Sequence, residues 1–246
     1  MGIDTESQDF FPAGVDAKLF PINRRRYDVL ARIVRYFPVP YLRVLEVGSF
    51  VGQSALHWST QIAEHCAEGG IVLCVDPWKP FLSELDVNSS GALYQQTQAS
   101  LEDGSAFRQF KKNIEKAPAK APIEFFRKTL TEAKEVFDTT HILSFDIVYI
   151  DGSHYYEDVK RDLALAKSLV RDGGILCGDD LERQFDTVDQ DATLQECKYQ
   201  HDFIGFHPGV TLAVWVAFGR VWAEHGVWAM RHVVVSENQW QFPEGV

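Results

Sequence analysis

The sequence lacks three patterns, each of which would point to a particular class of protein. Its four cysteines, Cys66, Cys74, Cys177 and Cys197, contain no CxxC pair, so neither a zinc site nor a disulfide framework is indicated. No apolar run is long enough to cross a bilayer, and the first residues contain no hydrophobic signal region. We therefore expect a cytoplasmic protein that does not bind membranes.

Basic residues are also scarce. The 246-residue chain has 24 Lys and Arg against 35 Asp and Glu, which gives a formal net charge of −11. Because nucleic-acid-binding proteins normally carry a basic face, we expect a small-molecule partner and no nucleic acid. The short basic run Arg24 to Arg26 is interpreted as the solvated first turn of a helix. These patterns leave open whether the protein forms a homo-oligomer.

An alternation of strand and helix patterns fills most of the chain. Apolar runs predict buried strands at 43–47, 71–75, 123–126, 145–150 and 175–177, with helices between them. A helix at 210–222 and strands at 228–235 and 239–242 follow, and Gly173 and Gly174 are expected to end the helix at 155–170. Such alternation predicts an α/β fold with helices on both faces of a mostly parallel sheet.

The sequence also suggests how the chain is divided. Residues 1–40 form an arm and an amphipathic helix at 22–36, which we place on the lid or substrate side of a main domain spanning 41–246. Residues 79–104 are polar and are interpreted as an insertion that serves as a lid, a binding loop or a disordered segment. Residues 181–207 are expected to be irregular.

An acid and two glycines surround the turn after the first strand. Gly48 and Gly52 lack the third glycine of a dinucleotide fingerprint, so NAD binding is disfavoured. Glu46 suits a cationic group, and S-adenosylmethionine carries an ammonium and a sulfonium but no phosphate. We predict that Gly48 lets the backbone approach the methionyl part, that Ser54 binds its carboxylate and that Asp76 binds the ribose hydroxyls. The alternative is a glycine turn beside an ordinary surface acid.

Two aromatic residues lie close to this turn in the sequence. Phe50 and Trp78 are candidates to flank the adenosine or the substrate, and a core or lid role is equally consistent with the sequence. The histidines outside the predicted site, His201 and His207 among them, form no close-spaced ligand pair. We interpret them as surface or loop residues.

Three acids end two strands that we expect to be neighbours. Asp151 follows the fourth predicted strand, and Asp179 and Asp180 follow the fifth. Converging carboxylates repel one another unless protons or a cation intervene, and oxygen ligands of this kind suit Mg²⁺ or another hard divalent cation. The alternative is that Asp179 and Asp180 cap the following segment and that Asp151 contacts only the cofactor.

Four stretches, LEVGSFVGQSA, VLCVDPW, FDIVYIDGSHYYEDVKRDL and GGILCGDD, resemble successive motifs of class I S-adenosylmethionine-dependent methyltransferases. Within that class the DGSH-Y-DV--DL pattern is similar to small-molecule O-methyltransferases related to macrocin O-methyltransferase and to the cephalosporin hydroxylase group. The resemblance spans about residues 43 to 180. It implies a Rossmann-like, doubly wound, mostly parallel seven-stranded sheet with helices on both faces, and methyl transfer to a hydroxyl of a small molecule.

The resemblance also implies roles for particular residues. In the similar enzymes, acids at the positions of Asp151, Asp179 and Asp180 hold a divalent metal ion. His154 is our candidate general base, and a turn role for His154 is the alternative. Macrocin-type enzymes are expected to place an acid where this chain has Ser153, so the base is not decided. A metal-independent methyltransferase, a hydroxylase-type enzyme and a non-catalytic cofactor-binding module are the competing functions.

Overall fold

The structure is a computed structural model that describes residues 4–21, 23–37, 39–89, 91–140, 144–200, 205–235 and 237–241. The helices are α1 (Arg24–Tyr36), α2 (Gln53–His65), α3 (Glu84–Ser89), α4 (Gly91–Glu102), α5 (Ser105–Ile114), α6 (Leu130–Thr140), α7 (Tyr156–Ala166), α8 (Gln190–Glu196) and α9 (Pro208–Phe218). The strands are β1 (Tyr41–Val47), β2 (Gly69–Val75), β3 (Ile123–Phe126), β4 (Phe145–Ile150), β5 (Val170–Leu181), β6 (Trp222–Glu224), β7 (Gly226–Val235) and β8 (Glu237–Gln241). Among the described helices, none has the length and apolar character needed to cross a membrane.

All the strands belong to one sheet. Its order is β3-β2-β1-β4-β5-β7-β6, and β8 pairs with β7. Strands β1 to β5 run parallel, whereas β7 is antiparallel to β5, β6 and β8. The predicted fold class is therefore confirmed, with β8 added to the seven strands of the main path. The strand order reverses between β1 and β4, which is where open α/β sheets form a ligand crevice at their carboxyl ends.

Helices cover both faces of the sheet because successive strand residues point to opposite sides. Val44 of β1 packs into a core that is shared with α1, α2 and α5. Its neighbour Leu45 packs into a second core, which is shared with α6, α7 and α9. Burial on both faces explains why the parallel strands read as continuous apolar runs in the sequence.

The prediction of a lid loop or disordered segment for residues 79–104 is wrong in its secondary structure, since most of the segment forms α3 and α4. Asp86 of α3 is fully buried and supplies the tertiary anchor. Its carboxylate accepts hydrogen bonds from Ser83 Oγ (2.5 Å), the Tyr155 hydroxyl (2.7 Å) and the backbone N–H of Gln200 (2.9 Å). Tyr155 and Gln200 are distant in sequence, so the polar composition did not reveal the helices.

Residues 181–207, which we expected to be irregular, contain helix α8, and two boundaries also differ from prediction. Gly173 and Gly174 do not end a helix, because α7 ends at Ala166 and both glycines lie inside β5, beside an irregularity in its pairing with β4. Helix α9 ends at Phe218, and Trp222 begins the three-residue strand β6, which is too short to leave a sequence pattern. The last residue of the predicted strand 239–242 lies outside the described residues.

The turn after β1 touches the turn after β4 at Gly48. This residue has φ +86°, and a Cβ there would overlap the carbonyl oxygen of Asp151 and lie 2.5 Å from the Cα of Gly152. The need for glycine therefore comes from the packing of two chain segments as well as from the left-handed backbone. Gly14, with φ +91° and open space around its Cα, has the same backbone requirement without the close contact.

We predict that Gly48→Ala destabilises the fold by roughly 2 kcal/mol or more beyond Gly14→Ala. Both substitutions place alanine at a positive φ, which costs about 1 to 2 kcal/mol, but only Gly48→Ala also forces two backbones apart. Denaturant unfolding of the two variants measures the difference. Equal losses of stability would show that the β1 and β4 turns separate freely.

Candidate active site

A cavity of about 610 Å³ lies at the carboxyl ends of β1, β2, β4 and β5. Eight of the site residues predicted from the sequence line it: Gly48, Phe50, Ser54, Asp76, Asp151, His154, Asp179 and Asp180. Glu46, Gly52 and Trp78 do not. The opposite wall comes from the N-terminal arm and α1, through Phe20 and Tyr27, and from the 79–104 segment, through Leu82 and Tyr94.

Backbone strain is concentrated around this cavity. Among the described residues, four that are not glycine have positive φ: Phe50 (43°), Trp78 (44°), Asp180 (62°) and His225 (53°). The first three follow or end strands at the cavity, and the carbonyl of His225 accepts a hydrogen bond from Arg26 Nε at 3.3 Å. Such conformations persist only where the surrounding structure enforces them, and they cluster at functional sites.

Glu46 is fully buried, and within the described part of the chain neither of its carboxylate oxygens has a hydrogen-bond partner. Burial raises its pKa to about 8, and the charge of Asp151 adds to the shift. The nearby hydroxyls of Ser49 and Ser54 act in the opposite direction without reaching hydrogen-bond geometry. A buried carboxylate without a partner fits a ligand that brings a positive charge or a hydrogen-bond donor.

Asp76 ties the β1 turn to the end of β2. Its Oδ2 accepts the backbone N–H groups of Ser49 (2.9 Å) and Phe50 (3.1 Å), and its Oδ1 accepts that of Trp78 (2.6 Å). A carboxylate has about four lone-pair sites, so these three bonds leave one for a ligand hydroxyl. The predicted ribose contact is compatible with this arrangement.

Trp78 and Gly52 do not line the cavity, and Trp78 has the core position that the sequence left open as an alternative. Trp78 is 1% exposed, packs against Phe107 and Phe110, and donates its indole N–H to the Phe50 carbonyl at 2.7 Å. It therefore supports the strained turn from the core and does not face the cavity. Gly52 precedes α2, and a Cβ there would lie 3.2 Å from the Phe110 ring. Both residues support the turn after β1 from its core side.

The three predicted acids converge and are joined by an arginine that the sequence did not single out. Carboxylate oxygens of Asp151, Asp179 and Asp180 lie within 4.8 Å of one another. Arg26 Nη1 lies 2.6 Å from Asp179 Oδ2 and 3.3 Å from Asp180 Oδ1, and its Nη2 lies 3.3 Å from Glu182 Oε1. The interpretation of Arg26 as a solvated residue is thus wrong, since its side chain is only 22% exposed and neutralises this acidic cluster.

Asp151 and Asp180 differ in their electrostatics. Burial and the charge of Asp180 raise the pKa of Asp151 to about 6, although Arg26 and His154 oppose the shift. Burial alone would raise the pKa of Asp180, but His154 and Arg26 outweigh it and lower that pKa. Asp180 is therefore the fixed anion of the cluster.

His154 has an oxygen atom next to each ring nitrogen. Nε2 lies 2.8 Å from Asp180 Oδ2, and Nδ1 lies 3.2 Å from the Gln200 carbonyl. Burial alone would lower the pKa of His154, but the charge of Asp180 dominates and raises it. A protonated His154 donates hydrogen bonds from both ring nitrogens, to Asp180 and to the Gln200 carbonyl. Neither nitrogen can therefore accept a proton from a substrate while the contact with Asp180 is intact.

His207 joins the site although the sequence placed it on the surface. Its ring centroid lies 4.3 Å from that of His154, and its Nδ1 lies 3.9 Å from Asp180 Oδ1 and 3.4 Å from Glu182 Oε2. The residue immediately precedes α9, and only the packing of that helix brings it to the strand ends. No local motif could have paired it with His154, and His201 lies outside the described residues.

A family model described as a methyltransferase domain matches residues 45–181, more than half of the chain. The chain belongs to this methyltransferase family. The matched part runs from β1 to the end of β5, and it contains Glu46, Asp76, Asp151 and the pair after β5. No curated protein matches the chain.

Several solved structures are similar to this methyltransferase. An O-methyltransferase from Bacillus cereus in complex with SAH is 15% identical with a TM-score of 0.50, covering 93% of this chain and 91% of that one. CalS11, a calicheamicin methyltransferase, is 15% identical with a TM-score of 0.48 over 87% and 78% of the two chains. TomG from Streptomyces achromogenes, an O-methyltransferase in complex with SAM, is 14% identical with a TM-score of 0.46 over 88% and 77%. At these identities the likeness concerns the fold, and the family match confirms the resemblance to class I S-adenosylmethionine-dependent methyltransferases.

We predict that Glu46→Gln stabilises the ligand-free methyltransferase at pH 8 by about 2 to 4 kcal/mol, since each pKa unit corresponds to about 1.4 kcal/mol. The folded pKa of about 8 lies above the ordinary value of 4.5. Ionisation in the unfolded chain therefore removes stability as the pH rises between these values. The gain should shrink toward pH 4.5.

Unfolding curves from pH 4.5 to 9 measure this effect, with Glu68→Gln as the control because Glu68 is exposed. Parallel pH profiles for the wild type and Glu46→Gln would show that Glu46 is solvated or paired in solution.

Proposed function

We propose that this methyltransferase transfers the methyl group of S-adenosylmethionine to a hydroxyl oxygen of a small molecule, assisted by a divalent cation. One observation carries the proposal: the converging acids Asp151, Asp179 and Asp180 line the same cavity as Ser49 and Ser54, which lie next to Glu46, a buried carboxylate without a hydrogen-bond partner in the described structure. The buried carboxylate suits a cationic cofactor, and the converging acids suit the activation of an acceptor oxygen.

On the cofactor side, Glu46 would pair with the ammonium group of S-adenosylmethionine from behind the cavity wall, next to Ser49 and Ser54, which line the cavity. Ser54, near the start of α2, donates to the cofactor carboxylate, where the N-terminus of the helix also favours negative charge. Asp76 accepts one ribose hydroxyl through its remaining lone pair. Together these residues would hold the cofactor in the cavity whose wall also carries the acidic cluster.

On the acceptor side, Asp151, Asp179 and Asp180 fit a divalent cation because they offer oxygen ligands within 4.8 Å of one another. Mg²⁺ is the expected ion, and when bound it would act as a Lewis acid toward the acceptor hydroxyl. Arg26 contacts two of the same carboxylates and would have to share them. The side chains of the cluster position the hydroxyl near the methyl group, and such positioning accounts for a large part of the rate in methyl transfer.

Asp151 lies between the two halves of the cavity. With a pKa of about 6 it is largely ionised at neutral pH, so it can orient the acceptor hydroxyl and receive its hydrogen bond. His154 is the second candidate for the proton acceptor, and it becomes available when its contact with Asp180 opens. A metal-independent form of the same reaction is the competing proposal, because Arg26 already neutralises Asp179 and Asp180.

We predict that S-adenosylmethionine binds the purified protein and that Glu46→Gln weakens this binding by roughly 10- to 100-fold. The loss corresponds to one hydrogen bond to a charged group, about 1.5 to 3 kcal/mol. Isothermal titration calorimetry measures both affinities, with Glu68→Gln as the exposed control. Absence of binding to the wild type would refute the proposed function.

We also predict that Asp151→Asn lowers methyl transfer by at least about 100-fold while it leaves S-adenosylmethionine affinity within a few fold, since it removes a group that acts on the acceptor. Transfer of labelled methyl to a panel of hydroxylated small molecules is the measurement, and Asp191→Asn on the exposed surface of α8 is the control. Activity that persists in excess chelator would support the metal-independent form.

A further inference from the structure

Two histidines and one aspartate offer ligand atoms at one point of the cavity wall. One ring nitrogen of His154, one of His207 and a carboxylate oxygen of Asp180 lie within 4.8 Å of one another. Their side chains are 14–17% exposed and line the cavity. The three residues come from the β4 turn, the end of β5 and the start of α9, so the tertiary fold alone assembles them.

The donor set differs from that of the three-carboxylate cluster. Imidazole nitrogen suits borderline ions such as Zn²⁺, Co²⁺, Ni²⁺ and Fe²⁺, whereas Mg²⁺ prefers oxygen ligands alone. Two imidazoles and one carboxylate therefore select a transition metal. An oxygen of Glu182 lies 3.4 Å from His207 Nδ1, so a further carboxylate is within reach.

His154 is held in the orientation that a ligand needs. Its Nδ1 lies 3.2 Å from the carbonyl of Gln200, and its backbone N–H donates to the side-chain oxygen of the same glutamine at 2.8 Å. When a metal ion displaces the proton on Nε2 to solvent, the proton that remains on Nδ1 is shared with this carbonyl, and the Nε2 lone pair is free to bind the ion. Metal-binding histidines commonly donate their second nitrogen to a carbonyl or carboxylate in this way.

Arg26 approaches the carboxylates rather than the imidazoles. Its guanidinium contacts Asp179 Oδ2 and Asp180 Oδ1, whereas Asp180 Oδ2 faces His154. A cation at the three carboxylates competes with this arginine. A metal ion held by the two imidazoles and Asp180 shares only Asp180 with this arginine, and the Asp180 oxygen that faces His154 is not the one that Arg26 contacts.

We infer that His154, Asp180 and His207 form a binding site for a divalent transition-metal ion. The site shares Asp180 with the cation position of the proposed function, but it does not depend on methyl transfer. It gives His154 a structural alternative to the base role. It also gives a role to His207, which the proposed reaction does not use.

Cobalt titration of the full-length, metal-free protein tests the inference, because tetrahedral or five-coordinate Co²⁺ with nitrogen ligands absorbs visible light. We expect a saturable visible band that Zn²⁺ displaces and excess Mg²⁺ does not. Removal of one ligand in His154→Ala or His207→Ala should weaken Co²⁺ binding by about 10-fold or more. Asp151→Asn should leave Co²⁺ affinity within about 2-fold, because Asp151 belongs only to the carboxylate cluster.

His65→Ala is the matched control, since His65 is exposed at the end of α2, and circular dichroism checks that each variant is folded. Co²⁺ affinity that falls in Asp151→Asn and persists in His207→Ala would place the metal at the carboxylates and overturn the inference. Absence of a visible band would also overturn it. The titration contains no S-adenosylmethionine, so its outcome can be interpreted even if the protein fails to bind the cofactor.

Discussion

The site depends on the need to neutralise one buried and two partly buried carboxylates that the parallel sheet brings to one edge. Strands β4 and β5 are neighbours, so Asp151 necessarily meets Asp179 and Asp180. Arg26 and His154 supply the opposing charge, and this requirement ties the N-terminal helix α1 to the sheet. Breaking one partner of such a buried network usually costs several kcal/mol, because the remaining charge is left without compensation.

A second constraint is that the cavity is held in a conformation that is unfavourable without a ligand. The turn after β1 contains the strained Phe50. The indole N–H of Trp78 donates a hydrogen bond to the Phe50 carbonyl, and the Asp76 carboxylate at the end of β2 accepts one from the Phe50 N–H. Glu46 lies buried beside it without a hydrogen-bond partner in the described structure. Active sites often retain such costs because the same groups bind the ligand, and substitutions that relieve them stabilise the protein at the expense of function.

Local patterns predicted the parts of the site that lie within single motifs. Strand endings located Asp76, Asp151 and the Asp179–Asp180 pair, because an apolar run followed by an acid is a local signal. Arg26 and His207 were assigned to the surface, since each reaches the cavity only when a distant helix packs against the sheet. The helices in 79–104 were missed for the same reason, because buried Asp86 is held by residues far along the chain.

The sequence by itself determined the order of strands and helices, the fold class and the acids at the strand ends, because hydrophobic periodicity and turn residues act over short distances. It also contained the motifs of the methyltransferase family. Only the tertiary structure decided which cationic side chains meet these acids. It chose the core over the cavity for Trp78, assigned Gly48 to the contact between two turns, and brought Arg26 and His207 to Asp180. The contacts of Arg26 and His207 with Asp180 follow from how distant helices pack on the sheet, and no local pattern encodes that packing.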